Sequence, residues 1–281
     1  MFKYGGFFTY KYFLEGYNGQ DYMGLGQFIF LGIATLVIIL ASVLLRKVSH
    51  KKIDTLLKVL AVLIPFLDIL KITIESYFDI TGGHGFNFSG LIPLYTCSIF
   101  VYTLPIAAFG RGKAREYTLS FITTLGIFAG LTNFVMAPIL NTYPFFNFHT
   151  FVSLHLHFWM VFTGIFLIAT GYYVPRWADI FKSMVPLTAM SVLAIPVDYA
   201  LSAYYGWSVD YMLYYSGNGA PLLPELANAL ASHGLRPVFT LIIFIMYGVI
   251  AAIIVSIIRL ICFLHGLKKE KRSIKTEVMR R

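Results

Sequence analysis

Val238–Leu264 reads VFTLIIFIMYGVIAAIIVSIIRLICFL, an apolar run interrupted by a single charge, Arg259. Crossing the hydrocarbon core of a bilayer takes a helix of about 20 mainly apolar residues, and this run exceeds that. Similar runs lie upstream at about Gln27–Leu45, Leu56–Phe78, Leu91–Phe109, Tyr117–Ala137, Phe148–Tyr172 and Met184–Tyr204, separated by short charged or turn-rich segments. A membrane β-barrel would instead show alternating segments of about ten residues. Composition agrees: 58% of the 281 residues are hydrophobic and 12% charged, whereas a soluble surface takes about 25% charged residues. The expectation is an all-α, polytopic membrane helix bundle with seven transmembrane helices.

The net charge of +9 does not point to nucleic acid, because the basic residues cluster between the runs. Arg46, Lys47, Lys51, Lys52 and Lys58 flank the first connection. Arg111, Lys113 and Arg115 occupy the third, and Arg176 and Lys182 the fifth. Arg259, Lys268, Lys269, Lys271, Arg272, Lys275, Arg280 and Arg281 mark the end of the chain. Only Lys3, Lys11 and Arg236 fall on the opposite side, and Lys71 lies within a run. The positive-inside rule then places the N-terminus outside and the C-terminus in the cytoplasm. Residues 1–281 form a single membrane domain on this reading, without internal repeats. It comprises an extracytoplasmic N-terminal segment (1–25), an aromatic extracytoplasmic cap loop (206–236) and a basic cytoplasmic tail (265–281). Met1–Tyr22 lacks the basic, apolar and small-residue succession of a cleavable signal peptide.

Ionisable groups inside spans are costly and are functional candidates by default. Asp68, Lys71, Glu75 and Asp79 fall within an arc of roughly 80° on one helix, with Lys71 and Glu75 spaced as an i,i+4 pair. Glu75 and Lys71 lie roughly 8 and 14 Å below the outer end of their span, at 1.5 Å per residue. The same arithmetic puts Cys97 roughly 9 Å down, His157 roughly 13 Å down and Asp198 roughly 10 Å from its outer end. Asn133 belongs to the same outer half. Five runs thus deliver polar groups to one layer. His155 and His157 point about 200° apart on a helix, so only one faces the site. His157 shares a stripe with Ser153 and His149 and is the choice, with His149 nearer the entrance. Cys97 and Cys262 both lie in apolar runs, with no spacing for a disulfide framework or a zinc site. Cys97 alone has polar neighbours at its depth, so Cys262 is packing. No metal or other cofactor is expected.

Leu91-Ile92-Pro93-Leu94-Tyr95-Thr96-Cys97-Ser98 resembles the Leu-Pro-Leu-(His/Tyr)-x-Cys signature of the YwaF family of bacterial membrane proteins, related to the eukaryotic transmembrane protein 164 acyltransferases. Glu75, the charged third connection, His157, Pro196, Asp198 and Tyr211-Met212 extend the likeness over most of the chain. Many members carry a histidine two residues before the cysteine, where this chain has Tyr95. The resemblance implies a multi-pass protein of the bacterial inner (cytoplasmic) membrane and, through the eukaryotic relatives, a lipid acyltransferase with Cys97 as nucleophile.

The expected function is acyl transfer or hydrolysis on a membrane lipid in an outer-leaflet pocket. Cys97 attacks, His157 is the base, and Glu75 orients His157 or neutralises local charge. Lys71 or Asn133 supports the oxyanion, and Tyr95, His149 and Asp198 line the substrate. The partners are membrane phospholipids, with one as acyl donor; the oligomeric state stays open. Two other readings stay open as well. The charged stripe could serve a small-molecule or ion transporter, with Pro65, Pro105 and Pro186 as helix breaks, or the chain could be a non-catalytic lipid-binding scaffold.

Overall fold

The computed structural model describes residues 6–14, 16–83, 93–206, 209–214 and 223–278, with side chains to 264. All regular structure among them is helical: α1 (Leu25–Leu44), α2 (His50–Thr81), α3 (Ile99–Phe109), α4 (Gly112–Ile122), α5 (Leu125–Met136), α6 (Phe148–Ala169), α7 (Asp179–Tyr205), α8 (Leu223–Ser232) and α9 (Arg236–Val278). Among the described residues five stretches are long and apolar enough to cross a bilayer: α1, Gly112–Asn141, α6, α7 and Arg236–Leu264. α2 has 32 residues but carries the charged stripe. α3 is apolar but has only 11.

Burial ranks the helices. In α6, 56% of the apolar window is buried inside the protein, against 17% in α1, so α6 is central and α1 peripheral. On α1, Leu25, Ile29, Ile33 and Leu36 are exposed, as are Leu241, Ile245, Val249 and Ile253 on α9. Spacings of three and four put each set on one helix face. Continuous apolar faces of this length suit lipid and not water. The core beneath joins α2, α3 and α6 through Leu57, Leu60, Ile64, Phe100, Leu104 and Met160. A second core joins α7 and α9 to the buried Val209–Tyr214 segment.

Two predicted helices are shorter than the apolar runs suggest. Within the run from Leu91, residues 95–98 form a turn closed by the Ser98 amide on the Tyr95 carbonyl (2.8 Å), and α3 starts at Ile99. Tyr117–Ala137 is broken between α4 and α5, where Thr124 leaves helical geometry (φ −129°, ψ −95°). The Thr124 hydroxyl bonds the Ser120 carbonyl at 2.6 Å and that of Thr123 bonds Leu119 at 2.8 Å. Threonine hydroxyls thus occupy carbonyls that the break would strand. Helices α2, α3 and α7, by contrast, continue through Pro65, Pro105, Pro186 and Pro196.

The ends of the bundle differ. At one, the N-terminal segment crosses the start of α6: Phe148 N–H donates to Phe7 O (2.8 Å), and Asn147 Nδ2 to Thr9 O (2.8 Å). Asp21 accepts from Phe145 N–H at 2.7 Å. In the segment expected to form the cap loop, Val209, Tyr211, Met212 and Tyr214 are buried. Tyr211 N–H bonds Asp198 (3.0 Å), Tyr214 meets Ser191 (2.7 Å), and Tyr247 reaches Met212 O (3.3 Å). Polar side chains on α7 and α9 make that burial tolerable.

Helices in lipid associate through close packing, which favours small residues at contacts. A Cβ on Gly130 would come 2.8 Å from Met160 Cβ, and one on Gly164 would lie 2.7 Å from Ile122 O and against Ile127. Gly164→Val should therefore destabilise the purified protein by about 1–3 kcal/mol, the usual cost of overpacking. Gly32→Ala, with open space around the new methyl, should leave the melting temperature in detergent unchanged or raised. Equal melting temperatures for Gly164→Val and wild type would show that α5 and α6 do not pack this way.

Candidate functional site

The stripe on α2 holds four ionisable groups, and three of them find partners on other elements or on α2 itself. Lys71 Nζ lies 3.8 Å from Glu75 Oε1, the expected i,i+4 pair. Glu75 Oε1 also meets His149 Nδ1 at 3.1 Å. Asp79, one turn further out, accepts from the Tyr10 hydroxyl at 3.0 Å. Burial, with Glu75 and Asp79 close by, holds the Tyr10 phenol well above its usual range, so it stays a donor.

His149 is fully buried in the first turn of α6, where Asn147 caps the helix by accepting from His149 N–H (2.9 Å). Its ring stacks on Tyr143, with centroids 4.5 Å apart at 21°. With Nδ1 facing a carboxylate, Nδ1 carries the proton. The opposite nitrogen, Nε2, is buried and has no hydrogen-bond partner.

His157 sits two turns deeper on α6. Its Nδ1 lies 2.7 Å from the Ser153 carbonyl, one turn back on its own helix. A carbonyl only accepts, so Nδ1 again holds the proton and Nε2 keeps its lone pair. That Nε2 is also buried without a partner. Glu75 therefore contacts His149 and Lys71, and His157 takes its orientation from Ser153. The reason is position along the helices: Glu75 stands near the C-terminal end of α2, opposite the first turn of α6. His155 turns away as expected, with Nδ1 on Phe151 O (2.8 Å) and its ring among Phe30 and Phe151.

Cys97 is half-buried in the turn that leads into α3 and packs against the α2–α3–α6 core. Lys71 lies within electrostatic reach of both Cys97 and His157, and the Ser98 hydroxyl stands beside the thiol. Tyr95 shares that neighbourhood with Cys97, Glu75 and Asp198, and its ring meets Tyr211 edge-on at 5.1 Å. Asp198 is fully buried: Oδ1 accepts from Tyr211 N–H and Oδ2 has no partner. Asn133 differs from the others, since its amide donates to Ala129 O (3.2 Å) on its own helix. Cys262 is exposed on the opposite stretch of α9. Among the described residues no group of three His, Cys, Asp or Glu is placed to hold a metal.

The structure thus gathers Lys71, Glu75, Tyr95, Cys97, His149, His157 and Asp198 from α2, α6, α7 and the turn before α3. Sequence reading missed Tyr10 and Tyr143, which close the outer side of this cluster. Tyr10 has its partner 69 residues along the chain, and Tyr143 meets His149 from the loop before α6. Chemically, the cluster offers a thiol, imidazole lone pairs and a cation in a water-poor layer.

Neither the curated proteins nor the solved structures include a match to this chain. A family model does match, that of the TMEM164 family, over residues 22–255. All seven gathered residues, together with the helices that carry them, fall inside this match. This helical membrane protein therefore belongs to the TMEM164 family.

Proposed function

We propose that the chain is a lipid acyltransferase or acyl hydrolase of a bacterial cytoplasmic membrane, working through a Cys97 thioester. It spans the bilayer seven times, by α1, α2, the run ending in α3, α4–α5, α6, α7 and α9, with the N-terminus outside. The ion pairs support this frame. Arg115 meets Asp54 at 2.8 Å and Lys182 meets Glu116 at 2.6 Å, so the basic first, third and fifth connections share one end. Tyr10, Asp79 and His149 mark the other.

The observation that carries the reading is the tautomer of His157. An imidazole with its proton fixed on Ser153 O offers a buried, unoccupied lone pair at Nε2, as a general base requires. Lys71 stands near both this ring and Cys97. The Cys97 proton passes to His157 Nε2 as the sulfur attacks an ester carbonyl of a phospholipid. The ammonium of Lys71 stabilises the tetrahedral oxyanion. When the intermediate collapses, the C–O bond breaks and the lysolipid alcohol leaves with the proton from His157. An acceptor hydroxyl, or water, then loses its proton to Nε2 and attacks the thioester, freeing Cys97. Glu75 holds His149 and Lys71 in place, and Asp198 keeps Tyr211 against Tyr95. Three of the six buried side-chain atoms without a partner among the described residues, His149 Nε2, His157 Nε2 and Asp198 Oδ2, belong to this cluster, and each costs about 1–3 kcal/mol unpaired. A polar headgroup supplies the missing partners.

Two experiments test this. In a Cys97→Ser/Cys262→Ser background, Asn18→Cys should react with an impermeant maleimide in intact cells, and Lys51→Cys only after permeabilisation. The reverse pattern overturns the orientation. For the chemistry, Cys97→Ala and His157→Ala should each abolish acyl transfer from radiolabelled phospholipid. The double variant should be hardly worse, because residues acting as a unit are strongly non-additive. Asp68→Asn should retain turnover. A transporter would give the opposite ranking, with Cys97→Ala mild and Asp68→Asn or Glu75→Gln inactive. Full activity in folded Cys97→Ala protein ends the thioester mechanism.

A further inference from the structure

The end of the bundle opposite this cluster holds a cavity of about 490 Å³ between α4, α9 and the loop joining α6 to α7. Its lining includes Glu116, Asp179, Lys182, Arg176 and Arg259. The two carboxylates are already satisfied. Asp179 accepts from Ser120 (2.7 Å), Tyr173 (2.7 Å) and Arg176 N–H (2.6 Å). Lys182 bridges Glu116 at 2.6 Å and Asp179 at 3.4 Å. Burial, together with the bond to Asp179, pushes the Tyr173 phenol up, which keeps it a donor.

An adjoining cavity of about 400 Å³ shares Glu116, Tyr172 and Tyr173. Its charges are paired as well, Arg115 with Asp54 at 2.8 Å and both with the Tyr172 hydroxyl. The side chains of Arg176 and Arg259 are different: both are exposed, both line the larger cavity, and among the described residues neither forms an ion pair with a carboxylate. Two guanidiniums thus face a space whose own carboxylates are held by Lys182 and neutral donors, and with them the lining carries a net positive charge.

We propose that this cavity binds a phosphate group, held by Arg176 and Arg259. Guanidiniums match phosphate oxygens through paired N–H bonds, and basic pockets between helices at the membrane surface hold anionic headgroups. The phosphate belongs to a phospholipid headgroup of the adjacent leaflet or to inorganic phosphate. The site is separate from the Cys97 cluster, and its occupation does not depend on the acyl-transfer chemistry.

The test is native mass spectrometry of the full chain released from detergent, with phosphatidylglycerol and inorganic phosphate as separate probes. One of them should bind saturably with one-to-one stoichiometry. Arg176→Gln/Arg259→Gln should weaken that binding roughly tenfold or more, from the loss of two cations at a membrane surface. Lys51→Gln/Lys52→Gln removes the same charge from exposed positions on α2 outside the cavity and should change binding far less. Phosphatidylglycerol binding that millimolar phosphate fails to displace assigns a lipid; one-to-one phosphate binding without lipid assigns the free anion. The single variants, Arg176→Gln and Arg259→Gln, serve if the double variant loses its native melting transition. Unchanged binding in the arginine variants, or an equal loss in the lysine pair, overturns the proposal.

Discussion

Within the hydrocarbon layer there is no water to take up a stray hydrogen bond, and the whole bundle is arranged around that shortage. Helices satisfy their own backbones, so the informative places are those where the helix stops. At the α4–α5 break, threonine hydroxyls fold back onto carbonyls of the preceding turn. In Val209–Tyr214, a non-helical segment is buried because Asp198, Ser202 and Tyr247 meet its backbone. The same scarcity gives weight to the few atoms left without partners. Two imidazole nitrogens and one carboxylate oxygen in the cluster near Cys97 are among the buried side-chain atoms without a protein partner.

Charge is arranged by the same logic at the two ends. Near Tyr10 and His149, carboxylates on α2 are met by a phenol and an imidazole. At the other end Asp54, Glu116 and Asp179 are met by Arg115, Lys182 and tyrosines. Carboxylates at both ends are therefore partnered inside the protein.

Helical class, the long apolar runs and the α2 stripe were legible in the sequence because each follows from periodicity or composition. The Lys71–Glu75 pair was legible for the same reason, being local. Helix interruptions were not. Residues 95–98 and 123–124 lie within apolar runs, and hydropathy does not register a turn closed by a backbone amide or by threonine hydroxyls. The partner of Glu75 was also hidden. Depth put it level with the outer half of α6, but could not choose between His149 and His157, which share a stripe. The pairing of Tyr10 with Asp79, 69 residues apart, leaves no trace in either neighbourhood.

The strap formed by the N-terminal segment has a consequence for biogenesis. Thr9 O accepts from Asn147, 138 residues later in the chain, and Phe7 O waits for Phe148. Synthesis proceeds at roughly 5–20 residues per second, so the segment stays without those partners for roughly 7–28 s while α1 to α5 emerge. During that interval Tyr10 can reach Asp79 as soon as α2 is in place, well before α6 exists. The aromatic segment is thus fastened in two stages, first to α2 and then to α6, and the second stage completes the surroundings of His149. Completion of the cluster around Cys97 is in this way tied to the arrival of α6, and earlier partial bundles lack His149 and His157.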